Sequence, residues 1–243
     1  MNVASAAHGP KASLWHLAWR QMLRDFRAGE LRLLIVAVTL AVAALTAVGF
    51  FADRLNSGLA RDAGQLLGGD AIVASDQPAP DEFAAKAREL GLSVATTTTF
   101  PSMGRAPDDQ GGASRLVGVK AVTANYPLRG ELRVSDGPGS AGTAAARAPE
   151  PGTVWVDRAL LDALALKVGD ELLLGDASLR IAHMIVFEPD RGTGFTSFAP
   201  RVLLNAADLP ATALIQPASR VRYRLALAAP EVGGGGVDRF GGW

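Results

Sequence analysis

The chain contains no cysteine and only three histidines in 243 residues. Without cysteine it has no disulfide, no thiolate nucleophile and no Cys-ligated zinc. His8, His16 and His183 have no second metal-binding side chain at helical ligand spacing, which excludes H-E-x-x-H zinc motifs. His183 lies in the apolar run LRIAHMIVF, so we expect it to be structural, with no role in a site.

The sequence also lacks a charge excess and a nucleotide-binding motif. With 24 basic and 24 acidic residues, nothing in the composition favours a nucleic-acid partner. Neither G-x-S-x-G nor the G-x-x-x-x-G-K-[ST] phosphate loop occurs. Gly137, Gly139 and Gly142 fit G-x-G-x-x-G, but they lie in a Pro- and Ala-rich loop, so we interpret the match as chance. We therefore expect no catalytic residue, cofactor or metal, and an envelope enzyme is the weakest hypothesis.

One long apolar run stands out. From Leu33 to Phe51 there are nineteen consecutive residues without a charge, interrupted only by Thr39, Thr46 and Gly49. At about 1.5 Å per residue, such a helix is about 28 Å long, close to a hydrocarbon core of about 30 Å. Apolar residues occupy every helical face, which is typical of a helix in lipid. The run predicts a transmembrane helix over residues 31–52.

Two alternatives remain for this run. A cleaved export signal usually has a shorter apolar core, about 7–15 residues, and a small-residue cleavage site, which GFFADRLNS does not offer. A buried core helix would normally show a polar stripe. For a retained anchor, the positive-inside rule places the N-terminus in the cytoplasm and the rest of the chain in the periplasm of a bacterial inner membrane. The basic residues that precede the span are Lys11, Arg20, Arg24, Arg27 and Arg32.

Residues 1–30 form a basic flank that can be interpreted in two ways. In LWHLAWRQMLRDF the apolar residues recur near a helical period, and Trp15 and Trp19 suit the headgroup boundary. This favours a cytoplasmic interfacial helix. The alternative is a basic flank with no fixed structure.

Residues 53–230 predict a mixed α+β domain outside the membrane. The membrane helix continues as a stalk and ends at Gly68 and Gly69. A strand (70–75) and a helix (80–91) follow, and then LSVATTTTFPSMGR and SRLVGVKAV predict a hairpin. Further on, TVWVD is a strand, RALLDALALKVGD is a helix with Leu160, Leu161, Leu164 and Leu166 inward, and ELLLGDASLRIAHMIVFEP is a hairpin turning at GDAS. RVLLN and SRVRYRLALA are two more strands.

Three segments are predicted to be irregular. SDGPGSAGTAAARAPEPG (135–152) predicts an exposed connection between two lobes. Residues 231–243 are Gly-rich and aperiodic, and they predict a disordered or truncated end without a closing element. The Phe187–Pro200 loop, within FEPDRGTGFTSFAPR, is either an ordinary hairpin loop or a contact loop for a partner or substrate.

Taken together, LLGGDA, GVKAVTANYPLRGEL, VWVDRALLDALALKVGDELLLGDASLRIAHMIVFEPDRG and APRVLLNAADLP resemble the N-terminal part of FtsX/MacB-type ABC transporter permeases, in particular the large YbbP-like permeases. The resemblance covers nearly all of residues 14–228. It implies a MacB-like periplasmic core domain and a membrane subunit that pairs with a separate cytoplasmic ABC ATPase. The cargo it implies is lipid, lipoprotein, toxin or an envelope signal, with membrane lipid and a second copy in a homodimer as further partners.

The chain departs from these permeases in one respect. They have at least three more spans, whereas no second apolar run of spanning length follows Phe51 in this sequence. We therefore expect an N-terminal fragment of a permease. The alternative is a stand-alone membrane-anchored periplasmic binding module without transport activity.

Overall fold

The computed structural model describes residues 14–192, 198–217, 219–230 and 235–243. Contacts divide the chain into two compact units, Met1–Gly58 and Leu59–Trp243. In the first unit, helix α1 (Leu14–Ala28) is separated from helix α2 by Gly29, which has a φ of 90°. Helix α2 (Glu30–Leu67) is one continuous helix of 38 residues that extends into the second unit. The predicted basic helix and stalk are therefore present as helices.

No other described part of the chain covers the apolar part of α2. Between Leu33 and Phe51 its large apolar side chains are exposed by 48% at Ile35 to 75% at Leu45. The hydroxyls of Thr39 and Thr46 each donate to the carbonyl four residues earlier at 2.7 Å, so neither needs water. Among the described residues this is the one helix long and apolar enough to cross a membrane. Within the described residues this helix is not buried in a core, so the structure does not show the buried-helix alternative, and the export-signal alternative stays open.

The described residues of the second unit include ten strands in one sheet. They are β1 (Ala71–Ser75), β2 (Ser93–Arg105), β3 (Ser114–Val122), β4 (Arg133–Ser135), β5 (Thr143–Ala144), β6 (Thr153–Asp157), β7 (Glu171–Leu174), β8 (Ala177–Phe187), β9 (Arg201–Asn205) and β10 (Arg222–Ala228). Helices α3 (Asp81–Glu89), α4 (Arg158–Leu164) and α5 (Gly236–Gly241) complete it, with short 3-10 turns at Asp108–Gln110, Ala206–Asp208 and Pro210–Thr212.

The strands β2, β3, β9, β6, β8 and β7 pair in that order, and β7 pairs back to β2, so they form a closed ring. The β3–β9 and β6–β8 pairs are parallel and the others in the ring are antiparallel. Strands β10 and β1 extend the sheet from β2, and β4 and β5 extend it from β8. This mixed pairing confirms the predicted α+β class.

The largest apolar core fills the ring and is closed by α4. The four leucines predicted to point inward, Leu160, Leu161, Leu164 and Leu166, are all buried there. Both predicted hairpins are also confirmed. Strand β2 pairs antiparallel with β3, and β7 pairs with β8 across a turn between Leu174 and Ala177. Local alternation and turn chemistry were therefore enough to predict these elements.

The prediction that residues 135–152 separate two lobes is wrong. Strand β5 pairs with β4, the Ala145 amide donates to the Leu132 carbonyl at 2.8 Å, and Ala148 is buried. Most of the segment is exposed, as predicted, but it pairs with the sheet and does not separate two lobes. The division between compact units falls instead after Gly58, within α2.

The prediction that the chain ends without a closing element is also wrong for residues 235–243. They form α5, which buries Phe240 against α3, with the rings of Phe240 and Phe83 edge to face at 6.1 Å. A six-residue helix is too short to produce a recognisable period in the sequence. Residues 231–234 lie outside the described residues.

Candidate functional site

The end of α2 is tied to the sheet domain by a small set of polar contacts, which we call the junction. It comprises residues 62–70 together with Arg129, Gly130 and the Glu188–Arg191 segment. The helix stops at Gly68, whose φ is 74°, and the Gly69 amide donates back to the Gly64 carbonyl at 3.1 Å. The Gly68 carbonyl accepts the backbone amides of Leu128 (3.2 Å) and Arg129 (3.3 Å). The helix end is thus held by chain segments far away in sequence.

A bidentate ion pair strengthens this attachment. The Arg129 Nε and Nη2 atoms each donate to the Asp70 carboxylate at 2.8 Å, and the Ala229 amide donates to the same carboxylate at 2.9 Å. Burial raises the pKa of Asp70, but the bonds from Arg129 and Ala229 outweigh it, so its pKa lies below the ordinary value. The Asp70 hydrogen bond also raises the pKa of Arg129. Both groups stay charged at neutral pH.

Two glycines permit a close approach at the junction. A Cβ atom on Gly68 would lie 3.1 Å from the Asp190 Oδ2 atom. A Cβ on Gly130, whose φ is 83°, would lie 2.8 Å from the Cβ of Pro189 and 3.2 Å from the Gln65 carbonyl oxygen. Any side chain at Gly130 would therefore meet both strain and a clash.

Beneath the junction lies a buried cluster of charges. The Lys120 Nζ atom donates to Glu188 Oε1 at 2.8 Å, to Asp190 Oδ1 at 2.7 Å and to the Tyr126 hydroxyl at 2.8 Å. The Arg201 Nε atom donates to Glu188 Oε2 at 2.9 Å, and the Tyr126 hydroxyl donates to Asp190. No charged side chain in this cluster is more than 4% exposed.

The cluster is electrically balanced, with two cations opposite two carboxylates. Burial raises the pKa of Glu188, but the charges and hydrogen bonds of Lys120 and Arg201 bring it below the ordinary value. Burial and the charges of Asp190 and Glu188 raise the pKa of Tyr126 well above its usual range. The tyrosine therefore remains a neutral hydroxyl that can donate to Asp190.

The base of the Phe187–Pro200 loop belongs to the same network. Arg191 donates to the Asp157 carboxylate through Nη1 (3.1 Å) and Nη2 (2.5 Å), and that carboxylate also accepts the Arg201 amide at 2.8 Å. Phe198, in contrast, is 86% exposed. Residues 193–197 lie outside the described residues. The loop is thus structural at its base, and a contact role for its exposed part stays a prediction.

A cavity of about 710 Å³ opens beside the last turns of α2. Leu66, Val186 and Phe187 give it an apolar side, and Asp62, Glu131 and Arg133 give it a charged rim. The three apolar side chains are all exposed. Its size lies within the range usual for ligand pockets, about 300–1,000 Å³.

The groups described above form structural ion pairs, hydrogen bonds and exposed surfaces. Among residues 14–192, 198–217, 219–230 and 235–243, no three His, Asp or Glu side chains form a group that could hold a metal ion. His183 Nδ1 lies 2.8 Å from Asp136 Oδ1, and its ring contacts Trp155 edge to face. The expectation that it has no role stays a prediction.

Sequence reasoning missed the buried charge cluster. GVKAV predicts a strand with no partner for Lys120, and FEPDR falls in a segment predicted to be an ordinary hairpin loop or a contact loop for a partner or substrate. The available signal was a lysine inside an otherwise apolar strand, since a buried lysine requires a partner. The partner's identity was not visible, because Glu188 is 68 residues away.

Comparisons with known proteins bear on this architecture. No family model matches the chain. The uncharacterized ABC transporter permease YbbP of Escherichia coli (strain K12) is 35% identical over 205 residues, which is 84% of this chain and 24% of YbbP.

Two solved structures are similar at low identity. The extracellular domain of the noncanonic ABC-type transporter YknZ from Gram-positive bacteria has a TM-score of 0.44 and 10% identity, covering 70% of this chain and 89% of that domain. The periplasmic region of MacB from Actinobacillus actinomycetemcomitans has a TM-score of 0.43 and 10% identity, covering 72% of this chain and 82% of that region.

The sequence similarity to YbbP supports the relation to ABC transporter permeases. At 35% identity over most of this chain, it confirms the resemblance to YbbP-like permeases that the motifs predicted. The chain spans about a quarter of the length of this relative, 24%. One apolar helix near the N-terminus and this similarity fit a membrane protein with a periplasmic domain. Over about 205 residues, the chain is similar to part of a YbbP-type ABC transporter permease.

Proposed function

We propose that the chain acts as the N-terminal part of a membrane permease subunit in an ABC transporter. In this proposal α1 lies at the cytoplasmic face, residues 31–52 cross the bacterial inner membrane, and the sheet domain is periplasmic. The sequence similarity to a permease supports the class. The basic residues before the span support an N-terminus in the cytoplasm.

The proposed task of this part is to couple a separate cytoplasmic ABC ATPase to the periplasmic domain. The observation that carries it is the continuity of α2 from Glu30 to Leu67 together with the junction at its end. A helix can pass on a displacement only if its far end is fixed, and a bidentate arginine–carboxylate pair fixes geometry as well as distance. ATP hydrolysis would take place on the partner subunit.

The proposed cargo class is lipid, lipoprotein or other envelope material. The cavity beside Leu66, Val186 and Phe187 supports it, because exposed apolar surface next to charged groups suits a molecule with both kinds of surface. Membrane lipid around α2 and a second copy of the chain are further proposed partners.

Affinity purification of the tagged full chain from solubilised membranes tests the coupling. We expect an ABC ATPase to co-purify, identified by mass spectrometry, and not to co-purify with an unrelated single-span protein carrying the same tag. A chain that stays in the membrane fraction without any ATPase would favour a stand-alone anchored binding module. A soluble product whose intact mass corresponds to a chain starting near Ala52 would contradict both the permease and the anchored binding module. It would support a cleaved export signal.

A further inference from the structure

A second cavity, of about 570 Å³, lies under the β5–β6 connection. One wall is the alanine-rich segment Ala144–Ala148, in which Arg147 interrupts the alanines. The opposite wall is a sheet face formed by Thr153 and Trp155 of β6 and by Arg180 and His183 of β8. Its size falls within the range of sites for small molecules, about 300–1,000 Å³.

A β-bulge lies beside this cavity. Between the Val154–Ile181 and Trp155–His183 pairs, the β6–β8 ladder shifts register and leaves Ala182 without a partner. The bulge brings both Ala182 and His183 to the cavity wall. Bulges of this kind turn side chains towards a site and are frequent beside functional sites.

The cavity contains two guanidinium groups with no internal partner. The side chains of Arg147 and Arg180 are both exposed to solvent, and within the part of the chain that the structure describes they make no ion pair or hydrogen bond. The arginines of the junction and the buried cluster, in contrast, are all paired with carboxylates. Glu150 is the one carboxylate on the cavity wall, so the wall carries an excess of positive charge.

The remaining wall groups add an aromatic surface and a polar contact. Trp155 is buried, and its ring lies edge to face with that of His183 at 5.5 Å between centroids. His183 is held in turn by Asp136 at 2.8 Å. The Thr153 hydroxyl donates to the Glu150 carbonyl at 2.7 Å, within the turn that leads into β6.

We propose that this cavity binds a phosphate-bearing anion through Arg147 and Arg180, with the alanine wall and Trp155 contacting its less polar part. Guanidinium groups match phosphate geometry and donate two parallel hydrogen bonds. A phosphate has enough acceptor oxygens to engage both arginines at once, which a single carboxylate does less well. The phosphate can belong to a soluble ester or to a lipid headgroup. This inference does not depend on an ATPase partner.

Isothermal titration of the purified full chain in a non-ionic detergent tests the proposal. The probes are glycerol 3-phosphate and dioctanoyl phosphatidylglycerol, with dioctanoylglycerol as a lipid that lacks phosphate. We expect at least one phosphate probe to bind and dioctanoylglycerol not to bind at the same site. Arg147→Ala and Arg180→Ala should each weaken binding about tenfold, since each removes a charge-assisted hydrogen-bond donor.

Arg115→Ala is the matched control, because Arg115 is exposed on β3 and does not line the cavity. It should leave binding unchanged. Binding of glycerol 3-phosphate would identify a soluble ester as a sufficient ligand, and arginine-dependent binding of phosphatidylglycerol alone would identify a lipid headgroup. The proposal is overturned if neither phosphate probe binds, if dioctanoylglycerol binds equally well, or if the Arg147→Ala/Arg180→Ala double variant binds like the Arg115→Ala control.

Discussion

The apolar helix and the sheet domain distribute their side chains in opposite ways. Along α2 the large apolar residues between Leu33 and Phe51 are exposed. In the sheet domain Lys120, Glu188 and Arg201 are buried and paired. Exposed apolar surface of this extent requires an apolar surrounding, and buried charge requires internal compensation. The two parts therefore suit different solvents, lipid for the apolar helix and water for the surface of the sheet domain.

The largest expected effect comes from breaking the buried charge cluster. Lys120→Met removes the cation between Glu188 and Asp190 and leaves an unbranched apolar side chain one atom shorter. We expect a loss of about 3–5 kcal/mol in the free energy of unfolding, because two carboxylates remain buried without that partner. Urea unfolding of the full chain in a mild detergent measures it.

A second variant separates charge from packing. Adding Asp190→Asn to Lys120→Met should restore part of the lost stability, since the remaining Glu188–Arg201 pair leaves the buried cluster without an uncompensated charge. If Lys120→Met unfolds at the same urea concentration as the natural protein, the cluster does not stabilise the domain.

The next effect comes from placing a charge on the apolar helix. Leu40→Arg should make membrane insertion less favourable by about 2.5–3.5 kcal/mol, the usual cost of a charge at a helix centre. The ratio of inserted to non-inserted chain in a topology reporter measures it. Leu59→Arg is the matched control, because Leu59 is also an exposed leucine of α2 but lies beyond the apolar run. Equal insertion of both variants would contradict a span over residues 31–52.

A substitution at the junction should cause an intermediate loss of stability. Gly130→Ala should destabilise the domain by about 1–3 kcal/mol, because the positive φ is strained for alanine and the new Cβ meets Pro189. Gly91→Ala is the control, since Gly91 has a φ of 76° but nothing within 4 Å of its Cβ position. Thermal unfolding should place Gly130→Ala below Gly91→Ala. Equal midpoints would mean that the contact with Pro189 is soft and the junction is not tightly packed.

The elements that depend on neighbouring residues could be predicted from the sequence. The contacts between residues far apart in the chain could not. The apolar run, the hairpins and the leucines of α4 depend on neighbouring residues, so their spacing revealed them. Asp70 and Arg129 are 59 residues apart, and the ring closes only because β7 returns to pair with β2. No periodicity in the sequence encodes such a pairing. The candidate site is made of these distant pairs, so the sequence did not predict it. Most strands of the sheet domain depend on local patterns and were predicted.

Acid should weaken the domain over a defined range. Glu188 and Asp70 both have pKa values below their ordinary 4.5 and 3.8, so the unfolded chain binds more protons than the folded one in acid. Their contribution to stability is complete above about pH 5 and is lost as the pH falls through the folded-state pKa values. We expect a constant urea midpoint from pH 8 to 6 and a decline below about pH 4.5. Asp70→Asn should decline less steeply, and an unchanged slope would show that the Asp70–Arg129 pair contributes nothing.

The smallest effect should come from an exposed ion pair. Lys86 pairs with Glu89 at 3.0 Å on α3, with the glutamate 68% exposed. Lys86→Met makes the same chemical change as Lys120→Met, but water solvates the carboxylate that is left behind. We therefore expect a change of no more than about 0.5 kcal/mol, measured by the same urea unfolding. Similar losses from the two lysine variants would show that burial does not set the strength of the cluster around Lys120. A much larger loss of stability for Lys120→Met than for Lys86→Met would show that the buried cluster is strong because water is excluded beneath the junction.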